Sequence, residues 1–310
     1  MPSGPRFAGE TDGYARPMPT PVPAPPRPIR AVLLDLDGTL LDPSLRIDAR
    51  ARAVVARVTE RGVAIVLLSG RPVDSVRLHA GSISSSRWAA GLHGGVIADL
   101  RSGALERLGS LRREEVNAAL ATARRFGTTA TLYGPDRWRA AERSAAVRLE
   151  ERRSGVSATV VTEGELRQAV AVKGLLVGEP DRIDRCLHAL REILPRTVSC
   201  FTTYPDLLEI VPSGVDKGRA ARTILDRLGV APADAIAIGD GPGDVSMLDL
   251  VGLPVAMGNA REAVQRHASV VTTAHGEDGV ALALEHLVLG DDRAGERLRS
   301  APRSGLERGE

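Results

Sequence analysis

Ala31-Val32-Leu33-Leu34-Asp35-Leu36-Asp37-Gly38-Thr39-Leu40 is the stretch whose reading decides the fold of this chain. Its first four residues form an apolar run too short for a buried helix, which reads as a fully buried β-strand. Two carboxylates two residues apart follow at once, and side chains at i and i+2 of a strand share a face. Asp35 and Asp37 are therefore expected to emerge together from the carboxyl end of a buried strand, the edge where open α/β sheets place ligands. Two close carboxylates repel each other, and a bound cation is the usual remedy. Asp-Gly is also ordinary turn chemistry, so this stretch alone leaves a solvated strand-to-turn junction open.

The same unit recurs further along. A helix is expected over 47–61, with Ala51, Val54, Val55 and Val58 at helical spacing and Gly62 as its stop. A second apolar strand, 63–68, runs into Ser69-Gly70-Arg71-Pro72, and Pro72 suits the start of a helix over 73–80. A strand end meeting a helix start offers backbone N–H groups and a hydroxyl, the ingredients of an anion cradle or simply of a βα loop. From about 96 to 211 the rhythm changes to a hairpin turning near Ser102-Gly103, several strand-like runs and two or three helices, an α+β insert. Strand–helix alternation returns at Lys217, and the strand 235–238 ends in Gly239-Asp240-Gly241-Pro242-Gly243-Asp244.

The expected architecture is α/β: a Rossmann-like, doubly wound parallel sheet with an inserted α+β cap. Residues 29–95 and 212–290 make the core and 96–211 the cap. The proline-rich segment 1–28 is expected to be disordered, as is the charged segment 291–310. The 310 residues suit roughly two domains, and 43% hydrophobic content with only 3% aromatic implies cores of Ala, Val, Leu and Ile. Net charge of +2, with arginines scattered among acids, gives no reason to expect a nucleic-acid partner. No apolar run approaches the ~20 residues of a membrane span, and the start lacks the apolar core of a signal peptide. A cytoplasmic protein, a monomer or homodimer, is the expectation. Cys186 and Cys200 have no metal-type spacing.

Right-handed crossovers bring the carboxyl ends of all parallel strands to one edge. Asp35, Asp37, Ser69, Lys217, Asp240 and Asp244 can therefore meet although they are far apart in the chain. Carboxylates with one lysine and one hydroxyl form an oxygen-rich site for a hard cation, Mg²⁺ above all, suited to phosphoryl transfer. Lys217 stands out because only Lys173 and Lys217 break an otherwise all-arginine basic set. A compact ammonium fits beside carboxylate and phosphate where a planar fork does not.

These residues fall into four ordered motifs: DLDGTL at 35–40, LLSGRP at 67–72, Lys217 in SGVDKG, and GDGPGDVSML at 239–248. With VAMGNA at 255–260 and EDGVALAL at 277–284, the chain resembles the haloacid dehalogenase-like superfamily over about 29–290. Within it, the chain resembles the Cof-type sugar phosphatases with a large α/β cap. The resemblance implies a phosphomonoesterase acting on a small phosphorylated metabolite, such as a sugar phosphate, through an aspartyl-phosphate intermediate. Asp35 would be the nucleophile and Asp37 the acid and then the base. Ser69, the Gly70 amide and Lys217 would bind the phosphate. Mg²⁺ would be held by Asp35, the Asp37 backbone carbonyl and Asp240, with Asp244 acting through water or from behind. A phosphomutase and a non-enzymatic phosphometabolite-binding protein are the alternatives.

Two positions depart from the family pattern. Gly243 stands where the family has an asparagine that bonds the substrate phosphate, and His93-Gly94-Gly95 replaces Asn-Gly-Ala. The expectation at Gly243 is a rebuilt site, with a cap arginine filling the vacated volume. Tyr133, Arg137 and Arg139 are weak candidates for substrate contact in the cap.

Overall fold

The computed structural model describes residues 27–83 and 87–301. The core begins with β1 (Ala31–Leu34), α1 (Ala49–Glu60), β2 (Ala64–Leu68), α2 (Val73–Ala80) and β3 (Trp88–Gly91), followed by the hairpin β4 (Val96–Asp99) and β5 (Leu105–Arg107). The insert then runs α3 (Arg113–Phe126), β6 (Thr129–Tyr133), β7 (Trp138–Ala140), α4 (Ala145–Ser154), β8 (Thr159–Val160), α5 (Glu163–Gln168), β9 (Lys173–Val177), α6 (Pro180–Ile193), β10 (Val198–Tyr204) and β11 (Leu207–Pro212). The core resumes with α7 (Lys217–Leu228), β12 (Ala235–Gly239), α8 (Val245–Leu248), β13 (Leu253–Ala256), α9 (Glu262–Gln265), β14 (Val270–Val271), α10 (Gly279–Leu287), α11 (Asp292–Gly295) and β15 (Arg299–Ser300).

The core sheet has nine strands in the order β15-β14-β13-β12-β1-β2-β3-β4-β5. The run from β14 to β3 is parallel throughout, and β1 lies at its middle. All four β1 residues are fully buried because helices cover both faces. Val32 and Leu34 pack with α1 and α10, while Ala31 and Leu33 pack with α7 and α8. Burying each Val or Leu side chain is worth about 1.5–3 kcal/mol, so the strand that ends in Asp35 is among the least movable parts of the molecule.

The insert forms a separate six-stranded, mostly antiparallel sheet, β10-β11-β9-β6-β7-β8. On β11, Leu208 and Ile210 pack against α3 and α6. Alternation then turns Glu209 to the opposite face, which packs toward the core through Val73, Leu92, Val96 and Ala98. On β9, Leu176 faces the helices, whereas Lys173 shares the core-side face with Leu175.

Two placements differ from expectation. The hairpin β4–β5 adds to the edge of the core sheet rather than to the insert. Val96, Ile97, Ala98 and Asp99 are all buried, because β4 extends a sheet covered on both faces; a hairpin signal is local and does not say which sheet it joins. Residues 291–301 are not a loose end either: Ala294 on α11 and Leu298 just after it are buried in the core, and β15 pairs with β14. Those two apolar residues four apart anchor an otherwise charged stretch. The proline-rich segment lies outside the described residues apart from Arg27 and Pro28, as do residues 302–310.

Candidate active site

The carboxyl ends of β12, β1, β2 and β3 lie side by side beneath the cap. Asp35 directly follows β1, is 5% exposed, and its N–H donates to the Ile238 carbonyl at 3.1 Å. Lys217 opens α7, whose N-cap Asp216 accepts from the Arg219 N–H at 2.9 Å. The buried Lys217 Nζ donates to Asp35 Oδ1 and to Asp244 Oδ1, each at 2.5 Å. The other Asp244 oxygen accepts from the Asp240 and Gly241 N–H groups at 3.0 and 2.9 Å. Asp244 thus has both oxygens in use, folding the loop after β12 and holding the lysine.

Asp240 is fixed from two sides, by Thr39 Oγ1 and by Asn259 Nδ2, each at 3.2 Å. Asn259 also donates to the Gly38 carbonyl at 2.9 Å, tying β13 to the β1 turn. Gly38 has φ +76°, and a Cβ there would collide with the Asp240 carboxylate, so this turn requires glycine on both counts.

Carboxylate oxygens of Asp35, Asp240 and Asp244 lie within 4.8 Å of one another. Burial and the Asp244 charge raise Asp35 well above the ordinary carboxylate pKa, against the pull of Lys217. The same causes push Asp240 up to about 6. Burial works against the Lys217 ammonium, but Asp244 and Asp35 overcome it and hold its pKa above the usual lysine value. Three carboxylates against one ammonium make an all-oxygen donor set with negative charge to spare, which fits a hard divalent cation. Asp35 and Asp240 have oxygens to offer it; Asp244 is engaged with Lys217 and two backbone N–H groups.

The other sequence candidates gather here too, with one difference. Ser69, fully buried, accepts from the Arg71 N–H at 3.1 Å, and among the described residues its own hydroxyl hydrogen has no acceptor. The Gly70 N–H likewise has no acceptor among them. Asp37, however, turns away from the carboxylate cluster. Arg71 grips it with two hydrogen bonds of 2.7 and 2.6 Å and also donates to the cap carbonyl of Arg153 at 2.7 Å.

Gly243 is flanked not by a cap arginine but by His93, whose Nδ1 lies 3.6 Å from where a Cβ would stand. The number of arginines in the chain made one the expected occupant; the β3 loop approaches closely enough for an imidazole to reach instead. Tyr133 is core, stacked on Trp138 at 5.3 Å with its hydroxyl on Glu150, and Arg137 pairs with Asp136 on the surface. Arg139 lies near the same Asp136, away from the cleft.

Sequence reasoning passed over Arg71, Asn259, Lys173 and Glu209. Lys173 Nζ donates to the Gly70 carbonyl at 2.9 Å and pairs with Glu209 at 3.2 Å, so both lysines of the chain serve this cleft. The signals were there: a second lysine among arginines, and one acid inside the apolar run Leu207-Leu208-Glu209-Ile210-Val211. A cavity of about 900 Å³ lies elsewhere, lined by Gly62, Arg77, Arg87, Trp88 and Arg227 near the amino end of β2. Of its arginines, Arg77, Arg87 and Arg227 are already paired with Asp74, Asp99 and Glu106. Volume and chemistry point to different places, and the chemistry decides.

Residues 32–284 match the haloacid dehalogenase-like hydrolase family. A Haemophilus influenzae protein assigned as a phosphatase is 29% identical over 261 residues, covering 83% of this chain and 97% of its own length. The 5-amino-6-(5-phospho-D-ribitylamino)uracil phosphatase of Bacillus subtilis is 26% identical over 262 residues, covering 84% of this chain and 96% of its own length. The crystal structure of a haloacid dehalogenase-like hydrolase from Bacteroides thetaiotaomicron superposes with a TM-score of 0.77 at 29% identity, covering 83% of this chain and 99% of that one. No helix among the described residues is long and apolar enough to cross a membrane. The chain belongs to the haloacid dehalogenase-like hydrolases, among the Cof-type phosphatases that carry an inserted cap.

Proposed function

We propose that the protein is a Mg²⁺-dependent phosphomonoesterase acting on a small phosphorylated metabolite, with Asp35 as the nucleophile. The observation that carries this reading is the placement of Asp35. It ends the central buried strand, 2.5 Å from Lys217 Nζ, with Asp240 and Asp244 oxygens within 4.8 Å. Asp35 forms a bond to phosphorus as the bond to the leaving oxygen breaks, and Asp37 gives that oxygen a proton. Water then attacks the aspartyl phosphate, Asp37 takes a proton back, and inorganic phosphate leaves. Lys217, the Ser69 hydroxyl and the Gly70 N–H hold the phosphoryl oxygens. Asp35, the Asp37 carbonyl and Asp240 would hold Mg²⁺, which supplies positive charge to the phosphoryl group.

The Bacillus subtilis relative is named for a phosphorylated ribityl compound, and a phosphorylated sugar or polyol is the substrate class proposed here. With both Asp37 oxygens on Arg71, Arg71 has to yield before Asp37 meets a leaving group. Because Arg71 is also bonded to the cap through the Arg153 carbonyl, cap movement is the natural release.

The test is phosphate release from alkyl and aryl phosphomonoesters, with Mg²⁺ and with chelator, for the native protein and Asp37→Ala. Native activity is expected to require Mg²⁺. General acid help is worth about 10²–10⁴-fold, chiefly for poor leaving groups. Asp37→Ala is thus expected to lose far more rate on the alkyl than on the aryl ester. Equal losses on both would remove the acid role, and no Mg²⁺-dependent release from any ester would remove the whole reading.

A further inference from the structure

Beside the carboxylate cluster lies a group for which the proposed mechanism has no use. His93 follows β3, and both it and Leu92 are left-handed, at φ 56° and 54°. That backbone costs roughly 1–2 kcal/mol per non-glycine residue, so something holds the turn. The His93 N–H donates to the Ser69 carbonyl at 3.0 Å. Its ring packs over Gly70, where a Cβ would collide with Cε1 and Nε2, and its Nδ1 lies 3.6 Å from where a Cβ of Gly243 would stand. Ser69 and Gly70 follow β2 and Gly243 follows β12, the two strands that flank β1. The imidazole therefore bridges the loops on either side of Asp35.

The ring is clamped from the cap. Nε2 lies 2.5 Å from Glu209 Oε2, and Phe201 meets the ring edge-on at 5.7 Å between centroids. Glu209 is itself fixed by Thr203 Oγ1 at 2.6 Å and by Lys173 at 3.2 Å. Burial opposes the Glu209 charge, yet His93 and Lys173 hold its pKa well below the usual glutamate value. An ionised carboxylate only accepts, so Nε2 carries its hydrogen toward Glu209. Nδ1 has no hydrogen-bond partner among the described residues. It is the ring atom nearest Gly243, where no side chain stands in its way.

We infer that His93 Nδ1 binds an oxygen of the substrate phosphoryl group, with Glu209 of the cap as the positioning residue that orients the ring. This rests on the reading of the Asp35 centre as a phosphomonoesterase site. The contact needs one proton between Nδ1 and the phosphate oxygen, carried in by the ring or by a phosphate monoanion. Glu209 reaches His93 only with the cap in place, so the same bond makes phosphate recognition depend on cap position.

The probe is inorganic phosphate, measured as a competitive inhibitor of hydrolysis and by direct titration of the Mg²⁺-loaded protein. His93→Asn suits the left-handed backbone, which Asn tolerates, while withdrawing the ring. Phosphate affinity is expected to fall about ten- to hundredfold, the worth of a charge-assisted hydrogen bond. Glu209→Gln is expected to share that loss and to add nothing in the His93→Asn background, a non-additivity that a merely structural role would not produce. Gly243→Asn is expected to weaken phosphate binding in the native protein, where it crowds Nδ1, and to strengthen it once the ring is gone. Unchanged phosphate affinity in a folded His93→Asn protein, with Asp35→Asn inactive, overturns this inference alone. A native protein that hydrolyses no phosphomonoester overturns the reading beneath it as well.

Discussion

Asp35→Asn is expected to abolish phosphate release while leaving the fold intact. Asn has nearly the same shape and keeps a hydrogen-bond acceptor for Lys217, but it has no anionic oxygen to attack phosphorus. Uncatalysed phosphate-monoester hydrolysis is so slow that enzymes accelerate it by up to roughly 10²¹-fold. A protein without its nucleophile therefore has no measurable background to fall back on. Stability is expected to move the other way, if at all. Asp35 sits buried with Asp240 and Asp244 around one ammonium. Removing one negative charge relieves the cost of burying it and its repulsion with Asp244 and Asp240, which together raise the pKa of Asp35. The checks are phosphate release under Mg²⁺ and a thermal melt in chelator. A folded Asp35→Asn protein that keeps a tenth of native turnover would eliminate the covalent route. A melt lowered by many degrees would show that Asp35 is held there for stability instead.

The core and the whereabouts of its polar residues were legible because they follow from short-range pattern. Apolar runs of four to six residues ending in Asp35, Ser69 or Gly239-Asp240 read as buried strands, and parallel topology sends their ends to one edge. What pattern could not show is which polar group answers which. Asp37 and Asp35 share a strand face on paper, yet Arg71 draws Asp37 out of the cluster while Lys217 keeps Asp35 within it. Asp244 looks like a metal ligand by composition, and its geometry makes it a clamp for Lys217 and the 240–241 backbone. His93 and Gly243 stood out as two separate oddities; only folding reveals that they are neighbours. Glu209 lies 116 positions from His93 in sequence and on a different sheet. Contacts of that range depend on how the cap docks, which no local periodicity encodes.

Lys217→Met separates the structural from the chemical role of the ammonium, and a large loss in both is expected. Lys217 is 4% exposed and has carboxylates on two sides. Methionine fills most of the volume but leaves Asp35 and Asp244 buried without their shared cation. Removing one partner of a buried ion pair costs about 3–5 kcal/mol, against a total folding stability of roughly 5–15 kcal/mol. At about 2–4 °C per kcal/mol for domains of ~150–250 residues, the melting temperature in chelator is expected to drop by roughly 6–20 °C. A divalent cation can replace part of the missing charge, because it binds only where folded carboxylates converge. At a hundred times its Kd it returns about 2.7 kcal/mol. Mg²⁺ is thus expected to recover much of the lost stability of Lys217→Met and to raise the native melt less, since the native cluster already holds one ammonium. Activity is not expected to follow, because the phosphoryl oxygens still lack the Nζ that faces Asp35. Melts of both proteins in chelator and in saturating Mg²⁺, alongside phosphate release, decide the matter. Recovery of turnover together with stability would make Lys217 a structural counter-charge and leave phosphate binding to Ser69, Gly70 and the cation. A melt in chelator that barely moves would mean the three carboxylates do not need the lysine, and the electrostatic account of this site would fall.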